Sequence, residues 1–364
     1  MQMHQTPILF AVGTYTQAMG HVDGKGLGIH VLAFDPADAS LKEVALHTGT
    51  PNPSYLAASV RGDRLYSVRE LGAAAGAAID VFATEEGGAR LRPLASVPVA
   101  GADPCFLSVD DGANRLYVAN YTSGEVLAFS LDTDGMPQGA PVVLRRDGSG
   151  PRQDRQQGPH AHCAVAGPDG RSVYLCDLGI DTVARHPIRG GHVATVPDLA
   201  LHATPGAGPR HLAFDATGSL LFVVNELSST VAMYGIDAGN ARKLCEASTL
   251  PAGWTGTSAA AAIRVHPGGG WVYASNRGHD SIVALRVDRP TGSLVPVGWW
   301  AAGGRTPRDF MLTPDGAFLL AAAQDDALIR IFRVDPQSGA LTHAGRDYRL
   351  QSPACLCLLS RPGP

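Results

Sequence analysis

Four side chains are suited to chemistry on an anionic substrate, namely His162, Arg210, Glu226 and Arg277. An arginine guanidinium stays charged and donates paired hydrogen bonds, which suits a phosphate or a carboxylate. It also suits the oxyanion of an ester or lactone under attack. A neighbouring histidine or glutamate can accept a proton from water, or from carbon beside a carbonyl. This chemistry requires the four side chains to meet, although they are far apart in the sequence.

A repeated hairpin indicates how they could meet. A short apolar strand, a turn rich in Gly, Asp and Pro, and a second apolar strand follow one another in six segments. The second strands end at Arg69, Asn120, Asp177, Asn225, Asn276 and Ala323. Fifteen residues earlier the first strands begin, at Ser54, Cys105, His162, Arg210, Ala261 and Arg308. Because this register is kept in all six copies, insertions fall between the hairpins.

The spacing of the hairpins predicts the fold. Successive copies are 47 to 57 residues apart, and two further strand patterns usually follow each hairpin. Short antiparallel strands repeating at about 40 to 50 residues are typical of β-propellers. No segment between strands has a convincing amphipathic helical period. We therefore predict an all-β, seven-bladed β-propeller of four-stranded antiparallel blades, as one domain over residues 1–364.

The two ends of the chain supply the seventh blade. The segment Pro353–Leu359 resembles a first strand without its partner, and Ile8–Thr14 resembles a second strand without its first. Pairing of these N- and C-terminal strands would close the ring. It would also remove two open sheet edges that otherwise invite aggregation.

The hairpin geometry also predicts a site. The start of a first strand and the end of a second lie at the same end of a hairpin. The residues just after the second strands are Glu70, Tyr121, Leu178, Glu226, Arg277 and Gln324. If the first strands are innermost, both sets surround one mouth of the central channel. The candidate catalytic residues are His162, Arg210, Glu226 and Arg277, and the candidate substrate-binding residues are His160, Arg308, Glu70, Asn225 and Asn276. The alternative is that these charges only form salt bridges between blades.

Composition excludes several classes of partner. The formal charge is −4, charged residues make up 17% of the chain, and neither sign forms a long run. Nucleic acid is therefore not an expected partner. No stretch reaches the roughly 18 apolar residues needed to span a bilayer, and the start of the chain lacks a basic segment. The six cysteines are scattered, as in a reduced protein. We expect a cytoplasmic protein with no membrane contact and no obligate protein partner.

Metal binding is not assigned. His160 and His162 could form a metal pair, but no third ligand follows at a telling spacing. Asn and acidic residues at the strand ends could instead hold calcium through oxygen ligands, which is the main rival mechanism. The residues in question are Glu70, Asn120, Asp177, Asn225, Glu226 and Asn276. We predict no metal and no cofactor.

The chain resembles the lactonase family of seven-bladed propellers, which includes a bacterial 6-phosphogluconolactonase and fungal carboxymuconate cyclases. Eight motifs carry the resemblance: Gly13-Thr-Tyr-Thr, Asn52-Pro-Ser-Tyr-Leu, Pro159-His-Ala-His, Asp177-Leu-Gly-Ile-Asp, Gly208-Pro-Arg-His-Leu-Ala-Phe, Asn225-Glu-Leu-Ser-Ser-Thr-Val, Ser275-Asn-Arg-Gly-His-Asp-Ser-Ile and Gly304-Arg-Thr-Pro-Arg. The resemblance implies site roles for a histidine of Pro159-His-Ala-His, for Arg210, for Glu226 and for Arg277. The chain departs from the family pattern at Ala73–Ala78, at Arg69 and at Asp309.

The resemblance implies hydrolysis of a sugar lactone, and we expect 6-phosphoglucono-1,5-lactone, an anionic small molecule, as the substrate. Arg210 and Arg277 would hold the anionic group or the oxyanion, and His162 or Glu226 would activate water. Three alternatives remain: a carboxymuconate-type lactonising cyclase, a calcium-dependent sugar lactonase, and a propeller that only binds other proteins.

Overall fold

Strands form nearly all of the regular structure. The computed structural model describes residues 7–237 and 239–359. Two short 3-10 turns occupy Ala73–Ala75 and Glu86–Gly88. The strands are β1 (Ile8–Thr14), β2 (Ala18–Met19), β3 (Val22–Asp23), β4 (Ile29–Asp35), β5 (Ser40–His47), β6 (Leu56–Ala58), β7 (Arg64–Arg69), β8 (Ala78–Glu85), β9 (Arg90–Pro98), β10 (Pro104–Asp110), β11 (Arg115–Asn120), β12 (Glu125–Leu131), β13 (Pro137–Arg145), β14 (Ala161–Ala166), β15 (Ser172–Asp177), β16 (Thr182–Arg189), β17 (His192–Val193), β18 (Leu199–His202), β19 (Pro209–Phe214), β20 (Leu220–Asn225), β21 (Thr230–Asp237), β22 (Asn240–Ser248), β23 (Ala259–Val265), β24 (Trp271–Arg277), β25 (Ser281–Asp288), β26 (Ser293–Ala301), β27 (Pro307–Leu312), β28 (Phe318–Ala323), β29 (Leu328–Val334), β30 (Leu341–Arg349) and β31 (Pro353–Leu358).

These strands build seven antiparallel blades. Five blades are simple meanders of consecutive strands: blade 1 (β6–β9), blade 2 (β10–β13), blade 4 (β19–β22), blade 5 (β23–β26) and blade 6 (β27–β30). Blade 3 contains β14, β15, β16 and β18, with the short β17 paired to the end of β16. Blade 7 has the order β31-β1-β4-β5, and β2 and β3 form a separate small hairpin. The predicted seven-bladed propeller is confirmed.

The inner strands form a closed ring. In the order β31, β6, β10, β14, β19, β23 and β27, each inner strand contacts the next, and β27 contacts β31. The apolar core lies between neighbouring blades, where buried side chains of facing sheets interlock. Phe34 of blade 7, for example, meets Phe318 of blade 6 edge to face, with ring centroids 5.0 Å apart. The first strand of each hairpin is therefore innermost, as the site prediction requires.

The two chain ends close the ring as predicted. β31 pairs with β1 in antiparallel register, with Val12 opposite Leu356 and Phe10 opposite Leu358. The other edge of β1 pairs with β4. Blade 7 thus takes its innermost strand from the end of the chain and its other three strands from the beginning.

A β-bulge recurs at the same place in the inner strands. In blades 2, 3, 4 and 6, one residue of the inner strand is left without a partner between two paired neighbours. These unpaired residues are Cys105, His162, Arg210 and Arg308. In blade 5, Ala261 and Ala262 occupy the wider gap. A bulge bends the strand and re-aims its side chain. The position fifteen residues before the strand end is therefore the bulge position.

The same register extends to blade 7. The ladder between β31 and β1 shifts at Ala354, so this residue is the bulge of the seventh inner strand. Tyr15 follows directly after the last residue of β1. It therefore occupies the position that Glu226 and Arg277 occupy in blades 4 and 5.

Some sequence predictions are not tested by the fold. Within the described ranges, no helix has the length and apolar character needed to cross a bilayer. The prediction for the start of the chain falls partly on residues 1–6, and the predicted domain limits include residues 1–6, 238 and 360–364, all outside the described ranges. The cytoplasmic location, the absence of nucleic acid and the absence of an obligate protein partner stay predictions.

Removing β31 should open the ring. A chain ending at Ser352 would leave the inner edge of β1 unpaired, together with the apolar face that Leu356 covers. We expect a lower thermal midpoint and aggregation, measured by circular dichroism and size-exclusion chromatography. Leu356→Met, which nearly conserves side-chain volume, should stay within about 1.5 kcal/mol of the parent. A truncated monomer that melts like the full chain would contradict the closure.

Candidate active site

The bulges surround a cavity of about 520 Å³ at one end of the propeller axis. Its lining residues are Met19, Gly20, His21, Glu70, Asp103, Cys105, Tyr121, Thr122, Arg155, His162, Glu226, Arg277 and Arg308. Five of the nine predicted site residues therefore line it directly. Arg210 is buried behind this lining and reaches the cavity through Glu226.

Three guanidinium groups surround the carboxylate of Glu226. Arg155 Nη2 donates to Oε1 at 2.7 Å, and Arg277 Nη2 lies 2.8 Å from Oε2. Arg210 Nε lies 3.0 Å from Oε2, although it is not aligned for a hydrogen bond. The side chains of Glu226 and Arg210 are almost fully buried, whereas Arg277 and Arg155 are 18% and 35% exposed. We call these four residues the Glu226 cluster. It carries one negative and three positive charges.

Local backbone geometry holds this cluster in place. Gly208 precedes the bulge at Arg210 and has a φ of +67°. A Cβ there would lie 2.6 Å from Leu227 Cγ, so only glycine fits without displacement. Gly208 O accepts a hydrogen bond from Glu226 N at 2.7 Å, and Gly208 N donates to Asp181 Oδ1 at 2.8 Å. A backbone hydrogen bond thus joins Gly208, before the hairpin, to Glu226, directly after it.

The arginines keep Glu226 ionised. Burial alone would raise the pKa of this carboxyl, but the charges of Arg277, Arg210 and Arg155 outweigh it and hold the pKa well below the ordinary value. Burial and the neighbouring Arg277 lower the pKa of Arg210 to about 10, which leaves the guanidinium charged at neutral pH. Glu226 is therefore a weak proton acceptor. Its chemical effect is to fix three guanidinium groups.

A second carboxylate lies in the opposite half of the ring. Tyr15 OH donates to Glu70 Oε2 at 2.8 Å, and the Ser54 hydroxyl donates to the same oxygen. His21, on the β2–β3 hairpin, places Nε2 4.0 Å from Glu70 Oε1 and 3.4 Å from Tyr15 OH. Burial raises the pKa of Glu70 despite the opposing charge of Arg308 and these hydroxyl donors. We call Tyr15, His21, Ser54 and Glu70 the Glu70 cluster.

Arg308 is the arginine of the cavity without a carboxylate partner. Its guanidinium carbon lies 5.1 Å from the centroid of the Tyr15 ring, in a cation–π contact. No carboxylate oxygen within residues 7–237 and 239–359 comes within 4.0 Å of it. Its neighbours Tyr15 and Glu70 outweigh its burial and raise the pKa of Arg308. A buried guanidinium that has no carboxylate within ion-pair distance is suited to an anionic ligand.

His162 lies between the two clusters as a neutral imidazole. Burial and the charge of Arg210 hold the pKa of His162 well below its ordinary value. Its Nδ1 lies 3.7 Å from Cys105 Sγ. Burial raises the pKa of that thiol, so Cys105 is not a thiolate nucleophile. His160 does not line the cavity, because its ring is stacked on Tyr121 at 4.5 Å and its Nδ1 contacts Tyr121 O.

Asn225 and Asn276 also lie outside the cavity lining, contrary to the substrate-binding prediction. Asn225 Nδ2 donates to Thr230 Oγ1 at 3.0 Å. Asn276 Nδ2 donates to Thr249 O at 2.8 Å. Asn225 thus binds the third strand of its own blade, whereas Asn276 of blade 5 binds the segment that leaves β22 of blade 4. These asparagines therefore stabilise connections within a blade and between neighbouring blades.

The oxygen ligands proposed for calcium do not converge. Asn120 donates to Glu125, and Asp177 accepts hydrogen bonds from the backbone N–H groups of His160 and Gly179. Among the described residues, no three His, Cys, Asp or Glu side chains are arranged to hold a metal ion. The donor set therefore does not favour the calcium mechanism.

Three residues of the site are absent from the candidate residues predicted from the sequence. Tyr15 follows the strand end in blade 7, so extending the repeat register to β1 would have found it. Arg155 lies in the loop 145–155, whose interspersed Gly, Pro and charged residues favour a solvated loop over one that rims the entrance and attracts an anion. Its ion pair with Glu226 and its place in the cavity lining support the second interpretation. His21 lies on a hairpin of four strand residues that no repeat pattern marks.

Residues 9–358 match the family described as Lactonase, 7-bladed beta-propeller. The chain belongs to this lactonase family. The match extends from β1 into β31 and therefore includes every blade.

Individual relatives agree with the family. The chain is 32% identical to a 6-phosphogluconolactonase of Bacillus subtilis, over 96% of this chain and 97% of the relative. The solved structure of a periplasmic gluconolactonase, PpgL, from Pseudomonas aeruginosa has a TM-score of 0.88 at 29% identity, covering 98% of this chain and all of the other. A structure from Bacteroides fragilis has a TM-score of 0.89 at 30% identity, covering 98% and 99%. The family and these relatives support a lactonase-type enzyme.

Replacing Glu226 should destabilise the protein. Glu226→Gln leaves three arginines close together without their shared anion, so we expect a loss of about 3 kcal/mol in the free energy of unfolding at pH 7. The folded-state pKa of Glu226 is lowered, so its contribution is present above the ordinary carboxyl pKa of about 4.3 and is lost as pH falls through the folded value. Urea unfolding at pH 7 and at about pH 3.5 would measure both effects.

Glu246→Gln is the matched control. Glu246 pairs with Lys243, which is 38% exposed, so its loss should change stability by less than about 1 kcal/mol. Equal losses for the two variants, or a difference for Glu226→Gln that grows at low pH, would contradict the role of the cluster.

Proposed function

We propose that this enzyme hydrolyses the ring ester of a phosphorylated sugar lactone, 6-phosphoglucono-1,5-lactone, to the open-chain acid. The proposal rests chiefly on one observation, the surplus of positive charge on the Glu226 cluster at the wall of the cavity. Hydrolysis of such a lactone needs two anion sites, one for the phosphate and one for the oxyanion that forms at the carbonyl. The cavity offers the arginines of the Glu226 cluster and, one blade beyond Arg277, the separate guanidinium of Arg308.

The Glu226 cluster is suited to the phosphate. Its three arginines and one carboxylate have a net charge of +2, and a phosphate monoester carries about −1.5 to −2 at pH 7. Arg155 and Arg277 remain partly exposed to the cavity, so their free N–H groups can reach a ligand. Arg210 is enclosed and instead donates Nη1 to Ala261 O at 2.8 Å. Arg210 thus positions the cluster, and the other two arginines meet the substrate.

Arg308 is suited to the carbonyl. It belongs to blade 6, beside the Tyr15 and Glu70 side chains of blades 7 and 1, and no carboxylate oxygen of the described residues lies within ion-pair distance of its guanidinium. As water adds to the carbonyl carbon, negative charge develops on the carbonyl oxygen. A buried guanidinium stabilises that charge more than it stabilises the neutral ester, which lowers the barrier.

The names of the relatives agree on gluconolactones and differ on the phosphate. The Bacillus subtilis relative is named a 6-phosphogluconolactonase, and the Pseudomonas aeruginosa protein is named a gluconolactonase. The net positive Glu226 cluster favours the phosphorylated substrate for this chain. A carboxylated muconate would meet the same arginines, so it belongs in the same substrate panel.

Substitution of two arginines should separate the two anion sites. Arg308→Gln should lower kcat/KM for phosphorylated and unphosphorylated gluconolactone alike, by roughly 100-fold, because both substrates form the same oxyanion. Arg277→Gln should raise KM about 10-fold or more for the phosphorylated lactone, with a much smaller change for the unphosphorylated one. Initial rates can be measured by the acid released, with spontaneous hydrolysis subtracted.

Arg333→Gln is a suitable control, because Arg333 stacks on Phe318 in blade 6 and does not line the cavity. It should leave both rates unchanged. Absence of enzyme-dependent turnover of either lactone by the unaltered protein would overturn the proposal. An equal effect of Arg277→Gln on both lactones would overturn the phosphate assignment.

A further inference from the structure

Lactone hydrolysis requires a group that accepts a proton from the attacking water. Glu226 and His162 are the two residues that the sequence proposes for this role. Both have their pKa held well below the ordinary value, the former by three arginines and the latter by burial and Arg210. A general base is most effective when its pKa approaches the working pH. The pKa of each candidate is therefore shifted away from the working pH.

Glu70 has the geometry that a base needs. Both of its hydroxyl donors, Tyr15 and Ser54, bind Oε2. Oε1 accepts no hydrogen bond from any residue in the described ranges, and His21 Nε2 lies 4.0 Å from it. Glu70 lines the cavity although its side chain is only 5% exposed. One oxygen is thus anchored, and the other is available to a water molecule.

We propose that Glu70 is the general base of this enzyme and that its carboxylate Oε1, anchored through Oε2 by Tyr15 and Ser54, removes the proton from the attacking water beside Arg308. This assignment rests on the proposed lactone hydrolysis. It moves proton transfer from the Glu226 cluster to the opposite half of the cavity. Tyr15 and Ser54 are then positioning residues, since they act through Glu70.

The reaction balances with these groups alone. Glu70 Oε1 accepts one proton of water while the water oxygen bonds to the carbonyl carbon, and the electron pair of the C=O bond moves to the oxygen beside Arg308. When the tetrahedral intermediate collapses, the bond from the carbonyl carbon to the ring oxygen breaks. Protonated Glu70 returns its proton to that leaving oxygen. The product is a carboxylic acid, which releases its proton to solvent.

The groups facing Glu70 set the sign of its response to pH. Burial raises the pKa of Glu70, and the charge of Asp103 acts in the same direction. Arg308, Ser54 and Tyr15 lower it, because each stabilises the carboxylate. His21 has its pKa lowered to about 4 by burial and nearby arginines, so it is neutral when Glu70 ionises. Turnover should therefore rise with pH as Glu70 loses its proton.

The first experiment replaces the base in the full-length protein. Glu70→Gln keeps the side-chain size and removes the basic oxygen, so kcat for 6-phosphoglucono-1,5-lactone should fall at least about 100-fold, with KM changed by less than about threefold. Glu70→Ala should be similarly slow and should regain turnover when formate is added, because a small carboxylate can occupy the space. Asp80→Asn, which alters a buried carboxylate paired with Arg69 outside the cavity, should retain the parent kcat.

The second experiment keeps the base and removes one of its donors. Tyr15→Phe retains the ring under Arg308 and removes the hydroxyl that stabilises the carboxylate. The acidic limb of the kcat/KM profile should move to higher pH, by about one unit for the loss of one hydrogen bond to a charged group. A merely structural role for Tyr15 would lower activity without moving the limb.

The outcomes separate this inference from the proposed function. If the unaltered protein turns over no lactone, the proposed function fails and the base assignment fails with it. If the unaltered protein is active and Glu70→Gln retains its kcat, only the base assignment fails. If Glu70→Gln does not fold, an unmoved acidic limb in Tyr15→Phe together with no formate rescue of Glu70→Ala would overturn the assignment.

Discussion

A carboxylate taken out of water must find compensating charge or hydrogen bonds, and Glu226 meets this requirement with guanidinium groups from three separate parts of the chain. Arg210 comes from the same blade, Arg277 from the next, and Arg155 from the loop that leads into blade 3. Each arginine would repel the others if the carboxylate were absent. The cavity wall therefore depends on one anion that links three elements of the ring.

The two carboxylates of the cavity have opposite electrostatic environments. Cations surround Glu226 and lower its pKa, whereas burial raises the pKa of Glu70 despite the opposing effect of Arg308 and of the two hydroxyl donors. Carboxylates whose environments differ in this way commonly divide their roles, one holding charge and the other moving protons. A raised pKa also means that ionised Glu70 opposes folding at neutral pH. The cavity thus combines a stabilising carboxylate with a destabilising one.

Much of this site could be predicted from sequence, because the repeat fixes a register. Once the hairpins were aligned, the bulge positions and the positions after the second strands selected His162, Arg210, Glu226 and Arg277 without coordinates. Asn225 was misplaced by a single step in the same register, since adjacent residues of a strand face opposite sides.

The remaining residues depend on contacts that the repeat does not encode. Arg155 reaches Glu226 from a long loop whose composition matches that of any solvated segment. His21 lies on a two-by-two-residue hairpin inserted between β1 and β4. The hydrogen bond from Tyr15 to Glu70 joins blades 7 and 1, which are consecutive along the chain, and the repeat register gives the position of Tyr15 but not this contact.

The pairing of β1 with β31 has a consequence for synthesis on the ribosome. β1 emerges first, and its inner partner β31 begins about 340 residues later in the sequence. At about 5–20 residues per second this delay is roughly 20 to 70 seconds. During that time the nascent propeller is an open crescent with an unsatisfied strand edge at its leading end. Protection of that edge by a chaperone, or simply fast completion of the chain, would then govern the yield of native protein.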